Sequence, residues 1–357
     1  MTIQERVLRV RSLLEEHGLD GLILEQSVNL AWLFGGRYHV NVASEQGLAA
    51  VFITHKRTES VVTNIEQTRL VAEEGLQADT IHTIPWYDAA ARNTILETWR
   101  GEGQVMTDAD LREAMLQLRI HLDDEHVAAY RRLGRVTAWA VEEACRTAEA
   151  SDTEADLAGK VASLCVSQGL DPLVLLVAGE RRAGLYRHPL PTSDPLGGYT
   201  IVSLCARSQG LVAAATRTVA FDRLPEALAR RYEAVLQVEA RMLHATRPGV
   251  SLSEVLRVAQ DAYAETGFAD AWTEHHQGGL IGFQSRELRA DLAQSQLLSV
   301  GNAVAWNPSL AGAKAEDTFL LTDDGLELLT PLQAYPEIAV DWQDVRYKRP
   351  WILVKNL

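Results

Sequence analysis

Cysteine is scarce in this chain. Its three cysteines, Cys145, Cys165 and Cys205, lie far apart and in no Cys-x-x-Cys or Cys/His spacing, so neither a disulfide framework nor a thiolate metal site is expected. With no adjacent basic activator, they read as reduced thiols filling core volume. No run of about 18 apolar residues occurs, which excludes a helical membrane span. The opening MTIQERVLRVRSLLEEHGLDG lacks the apolar centre of a signal sequence, so a cytoplasmic chain without a membrane partner is expected. Basic charge is in deficit too. The 34 Lys and Arg stand against 48 Asp and Glu, a net charge of -14, which repels phosphate backbones and argues against nucleic acid as a partner. Low-complexity tracts and Pro-, Gly- or Ser-rich linkers are absent as well.

What is present suits a globular chain of two domains. Hydrophobic residues make up 47% and charged residues 23% of 357 positions, ordinary usage for a length that exceeds one core. Val7, Leu8, Val10, Leu13 and Leu14 share a helical face over residues 3–17. Helix and strand signals then alternate: GLDGLILEQ and LAAVFITH as strands, VNLAWLFG as a helix or turn, SVVTNI as a strand, helices around 65–75 and 88–99, and a short strand at QVMTD. That alternation predicts an α/β domain with a mostly parallel or mixed sheet over residues 1–122. From Asp123 an acidic first turn opens a long amphipathic helix. A second helix, antiparallel strand pairs, two more helices and further strands follow, which predicts an α+β domain over residues 123–357 with a C-terminal tail.

Several segments, taken in order, carry a resemblance: LDGLILEQSVNLAWLFGG near the start, then RHPLPT, GLVAAATRT, EHHQGGLIGFQSRE, VAWNPS and AEDTFLLTDDGLELLT. Over nearly its whole length the chain resembles the family of creatinase, prolidase and aminopeptidase P. That resemblance implies a creatinase-like N-terminal domain followed by a pita-bread catalytic domain. It also implies a homodimer and a small-molecule or short-peptide substrate. Peptidases of the family hold two divalent ions with two Asp, one His and two Glu, hard donors that bridge a nucleophilic water. Carried over one position at a time, the two Asp fall on Ser203 and Ala214, the His on Gly279, and the Glu before Pro on Asn307. Glu316, in AEDT, keeps its carboxylate. With four of five ligands replaced, the resemblance implies a degenerate site, no bound metal and no other cofactor.

Around the same implied cavity, His188 and His275 match family histidines near the substrate, and both are natural proton carriers. His276 adds a third imidazole; because neighbours on a strand point to opposite faces, one of His275 and His276 is expected to face the cavity. Glu316 and Glu287 are the candidate general bases. Arg217, Arg207 and Arg286 can hold a substrate carboxylate, although Arg217 also suits a structural role at the hairpin. Tyr38, His39 and Asn41 are candidates to close the pocket of a dimer partner, and Gly278–Gly279 to supply a turn. Two functions follow. The first is a metal-independent hydrolase of a small C–N bond, by analogy with creatinase, although creatinase keeps a His at the place of Gly279 and a Glu at that of Thr216. The second is a non-catalytic binding protein. A metal-dependent Xaa-Pro peptidase with an atypical site is the remaining alternative.

Overall fold

The computed structural model describes residues 1–356. The chain separates into two compact units: Met1–Val127 with Ser208–Leu211, and Ala128–Arg207 with the chain from Val212 onward.

The first unit carries α1 (Ile3–His17), β1 (Gly21–Gln26), α2 (Ser27–Phe34), β2 (Gln46–Thr54), β3 (Thr58–Thr63), α3 (Gln67–Ala72), β4 (Thr80–Ile84), α4 (Ala89–Arg100), β5 (Val105–Thr107) and α5 (Arg112–Ile120). Its five strands form one mixed sheet in the order β4-β3-β2-β1-β5, with β1–β5 and β3–β4 parallel and the other pairs antiparallel. Thr2 opens α1 with a capping box closed by Glu5, which satisfies two orphan N–H groups at the helix start. The core stacks Phe52 of β2 on Trp99 of α4, ring centres 5.3 Å apart, with Ile23, Val61 and Leu96 around them.

The buried face of α1 differs from the hydrophobic pattern. Val10, Leu13 and Leu14 are buried, but Leu8 is 55% exposed and Arg6 is buried instead. Arg6 lies four residues before Val10, and its Nε donates to the Asp123 carboxylate at 2.9 Å. Both residues belong to the first unit. The first unit runs to Val127, one turn inside helix α6 (Asp124–Thr147).

The second unit continues with α7 (Glu154–Ser167), β6 (Asp171–Gly179), α8 (Glu180–Ala183), β7 (Tyr199–Ser208), β8 (Leu211–Phe221), α9 (Glu226–Ala245) and α10 (Leu252–Glu265). Then come β9 (Gly278–Ile281), β10 (Leu288–Arg289), β11 (Ala303–Trp306), β12 (Ser309–Leu310), β13 (Ala313–Lys314), β14 (Asp317–Thr322), β15 (Gly325–Leu328), β16 (Glu337–Trp342), β17 (Val345–Pro350) and β18 (Leu353–Lys355). Two larger sheets result, β18-β8-β7-β6 and β10-β9-β11-β14-β15. The tail doubles back as the β16–β17 hairpin, and β18 pairs in parallel with β8 of its own unit, Leu353 opposite Val219.

Gly278 and Gly279 do not form a turn. Both lie in β9 at positive φ, 107° and 149°. A Cβ at Gly278 would fall 2.2 Å from the Ala305 carbonyl oxygen, and one at Gly279 2.1 Å from that of Leu288. Glycine is needed there because neighbouring backbone passes too close for any side chain.

Candidate functional site

Several segments of the second unit converge on a recess of about 110 Å³. The middle of β7 supplies Ser203, the segment after β11 Asn307, the loop before β10 Arg286, and β13 with the residues after it Lys314 and Glu316. Lys314 and Glu316 are two residues apart in an extended segment, a spacing that turns both side chains to one face. A neighbouring cavity shares Leu176, Ser203 and Lys314 and adds Ile201, Arg187 and Ser309, so the cationic centre has apolar walls beside it.

Glu316 is 3% exposed and fully engaged. Lys314 Nζ lies 2.7 Å from Oε2 and Arg286 Nη2 2.8 Å from Oε1. Lys314 also donates to Ser203 Oγ at 3.2 Å, Ser203 Oγ meets Thr216 Oγ1 at 2.8 Å, and Thr216 donates to Glu316 Oε2 at 3.1 Å. Because the Thr216 proton goes to the carboxylate, Ser203 must donate to Thr216, and the ring of bonds closes on itself. Burial alone would push the Glu316 carboxyl upward. Lys314 and then Arg286 outweigh it and pull the group down to about 2, so Glu316 is a permanent anion and a weak base.

The three histidines come together. His275 and His276 follow a 3-10 turn (Ala271–Glu274) and precede β9, so the alternation of a strand does not apply to them. Their rings stack, centres 4.3 Å apart, and His275 Nε2 lies 3.0 Å from His188 Nε2. His276 lines the recess together with His188, and His275 lines the neighbouring cavity. The two rings thus line adjoining cavities, an arrangement set by their stacking and not by strand alternation. Burial, followed by the charge of His276, pulls His275 down to about 3; burial, followed by Arg286, pulls His276 down to about 4. His188 is lowered by burial and by Lys314.

Several expected site residues are employed elsewhere. Arg217 is 0% exposed and sits in a buried network, bonding Glu142 at 3.1 Å and Asp317 at 2.9 Å, while Arg349 bridges Asp317 and Glu239. Its charge is consumed by structure, as the hairpin reading allowed, and no substrate reaches it. Glu287 lies outside the recess lining and accepts the Phe283 N–H at 2.9 Å, which holds the loop before β10. Arg207 pairs with Asp171 at 3.1 Å. Tyr38 is 1% exposed within the first unit, its hydroxyl donating to the Glu74 carbonyl at 3.0 Å, so it is packed rather than presented. His39 is half-buried in that unit, and Asn41 accepts the Ala43 N–H within its own turn. Ala214 is buried in β8, where its N–H donates to Thr318 Oγ1 at 2.8 Å.

Lys314 was missed by the sequence reading. The signal was present, a cation two residues before Glu316 in an alternating Ala-Lys-Ala-Glu stretch. Cys205 also borders the recess, but burial pushes its thiol up to about 11, so it stays protonated and is not a nucleophile at neutral pH. Five buried polar atoms around the site have no hydrogen-bond partner: Asn307 Oδ1, Ser309 Oγ, Arg286 Nε, and Nδ1 of His275 and of His276. Buried groups of this kind are costly unless something satisfies them.

An α/β unit followed by an α+β unit that carries a recess is the two-part arrangement of a pita-bread protein. The chain belongs to metallopeptidase family M24: that family matches residues 128–323, and the Creatinase/Prolidase N-terminal domain matches residues 6–133. One relative is an uncharacterised peptidase of Staphylococcus haemolyticus, 31% identical over 121 residues, 32% of this chain and 34% of that one. The chain thus spans about a third of that relative's length. Another is the uncharacterised peptidase YqhT of Bacillus subtilis, 23% identical over 343 residues, 90% of this chain and 96% of that one. The solved prolidase from Pyrococcus horikoshii OT3 superposes with a TM-score of 0.76 at 19% identity, covering 92% of this chain and 99% of that one. That likeness establishes the pita-bread fold expected from the sequence.

Proposed function

We propose that this chain is a family member that has given up two-ion chemistry and holds a small molecule, a short peptide or an amino-acid derivative, in the recess between Lys314, Arg286 and the imidazoles. The observation that carries the reading is the Lys314–Glu316–Arg286 cluster. A pair of hard divalent ions needs several carboxylates. Among the described residues, Glu316 is the single carboxylate lining the recess, and an ammonium and a guanidinium already cover both of its oxygens. Ser203, Ala214, Gly279 and Asn307 supply no further anionic donor, so these residues do not fit the family's ion pair. The two fixed cations instead suit a carboxylate or a polarised carbonyl. Asn307 Oδ1 and Ser309 Oγ offer unsatisfied positions to the ligand's N–H groups.

Binding is favoured over turnover because the candidate bases are weak. Glu316, His275 and His276 are drawn to about 2, 3 and 4, whereas an efficient general base titrates near the working pH. A metal-free hydrolase of a small C–N bond is the second reading. Its favourable observation is the 3.0 Å contact between His275 and the exposed His188, a pair able to pass a proton to a leaving nitrogen.

Purified protein is screened against amino acids, short peptides and small amides by thermal shift and for turnover, with and without chelator. A carboxylate-bearing ligand is expected to raise the melting temperature in wild type and not in Lys314→Met, with no product formed. Turnover that survives chelation and vanishes in His188→Ala would install the hydrolase instead. Hydrolysis of Xaa-Pro dipeptides stimulated by Mn would sink both readings.

A further inference from the structure

We infer that His188, His275 and His276 form a binding site for a single borderline transition-metal ion such as zinc or cobalt, separate from the carboxylate cluster at Glu316. One ligand atom from each of the three side chains lies within 4.8 Å of the other two, and they are the one such group of three or more His, Cys, Asp or Glu among the described residues. A tetrahedral zinc site with bonds of 2.0–2.1 Å sets its ligand atoms about 3.3 Å apart. The His188 and His275 Nε2 atoms are already 3.0 Å apart, two nitrogens facing each other in the manner of neighbours on one ion.

Two features beyond proximity point to a ligand. Nδ1 of His276 is buried without a partner, and coordination through that nitrogen would relieve the loss, whereas His275 presents its Nε2 to the ion. The cluster also sits at an edge that is partly open, with His188 exposed and a cavity beside His275 and His276 lined by Trp272, Gln277 and Asp291, so an ion has an entry path and room for a water. Three imidazoles with an open fourth position are the donor set of a mononuclear zinc site.

Donor chemistry selects the ion. With imidazole nitrogens alone, the site prefers zinc, cobalt, nickel or copper over magnesium or manganese, which favour oxygen donors. Lys314 and Arg286 oppose any cation nearby, and Glu316 offsets only part of their charge. The expected affinity is therefore below that of a buried structural zinc. A bound ion would occupy imidazole lone pairs, so ion occupancy and imidazole proton transfer exclude each other.

The test uses untagged full-length protein stripped with chelator and then dialysed. Cobalt and zinc are titrated by calorimetry, with the visible spectrum of cobalt as a reporter of coordination number. The expected result is one ion per chain, tetrahedral or five-coordinate cobalt bands, and at least about 100-fold weaker binding in His188→Ala, more than loss of a supporting residue outside the coordination sphere costs. His188 is exposed, so its variant keeps the fold, which unchanged circular dichroism verifies; His275→Gln provides the second arm. Absence of binding at millimolar cobalt and zinc, or undiminished binding in both variants, overturns the site. Neither readout requires ligand or turnover, so the result is independent of the function proposed above.

Discussion

Arg217 illustrates how one side chain can carry a family motif and yet serve structure alone. Its guanidinium joins Glu142 and Asp317 with no solvent access, and Arg349 completes the network through Glu239. Removing one partner of such a network strands buried charge, which costs about 3–5 kcal/mol. Arg217→Ala is expected to lower the free energy of urea unfolding by that amount, and a change below about 1 kcal/mol would mean the network is solvated after all. The chemistry-bearing residue types were legible in the sequence, but their employment was not. Arg217 and Arg286 read alike as cations near a pocket, and partners distant in sequence, at residues 142, 317 and 316, decide which of them reaches it. The same holds for Arg6, whose burial depends on Asp123, 117 positions away.

At the scale of elements, the long periodic segments were the most readable. Helix α6 opens where its acidic first turn and hydrophobic period placed it, and the later helices and strands follow in the order read from the sequence, because each element buries one face. Helix α5 went unread even though Met115, Leu116 and Ile120 are buried at helical spacing; it is short, and the acidic opening of α6 drew the boundary past it. The geometry of the histidine pair was not legible for a related reason. Strand alternation was applied to residues that belong to the turn before β9. Strand β9 offers its own test. Gly279→Ala places a methyl group 2.1 Å from the Leu288 oxygen at a φ of 149°, so unfolding experiments are expected to record a loss of at least about 2 kcal/mol. Wild-type stability in this variant would show that β9 and β10 can separate freely.

For the molecule as a whole, acid sensitivity is set by imidazoles that the fold keeps neutral. His126 is the clearest: burial, with Arg6 adding to it, lowers its pKa to about 4 from an ordinary 6.5. The folded-state value is depressed, so between pH 6.5 and about 4 the unfolded chain binds more protons than the folded one. Stability is therefore full above pH 6.5 and falls as acid is added, by about 3 kcal/mol from this residue across the window. His275 and His276 act in the same direction. The slope of unfolding free energy against pH should be positive in that window and shallower in His126→Gln; an identical slope in the variant would assign the acid response to other groups. The α/β and α+β patterns were readable at this scale from element order, and the pita-bread architecture from the resemblance of the ordered segments to the family. The buried protonation states were not, since they follow from tertiary burial.

The crowding at Gly279 also bears on how this chain can change over generations. A histidine introduced there by mutation would meet the Leu288 carbonyl oxygen, so a single codon change cannot seat any side chain at that position. Strand β10 would have to move first, because Leu288 and Arg289 of that strand pair with Leu280 and Gly279. Position 279 is thus open to substitution only when two strands change together.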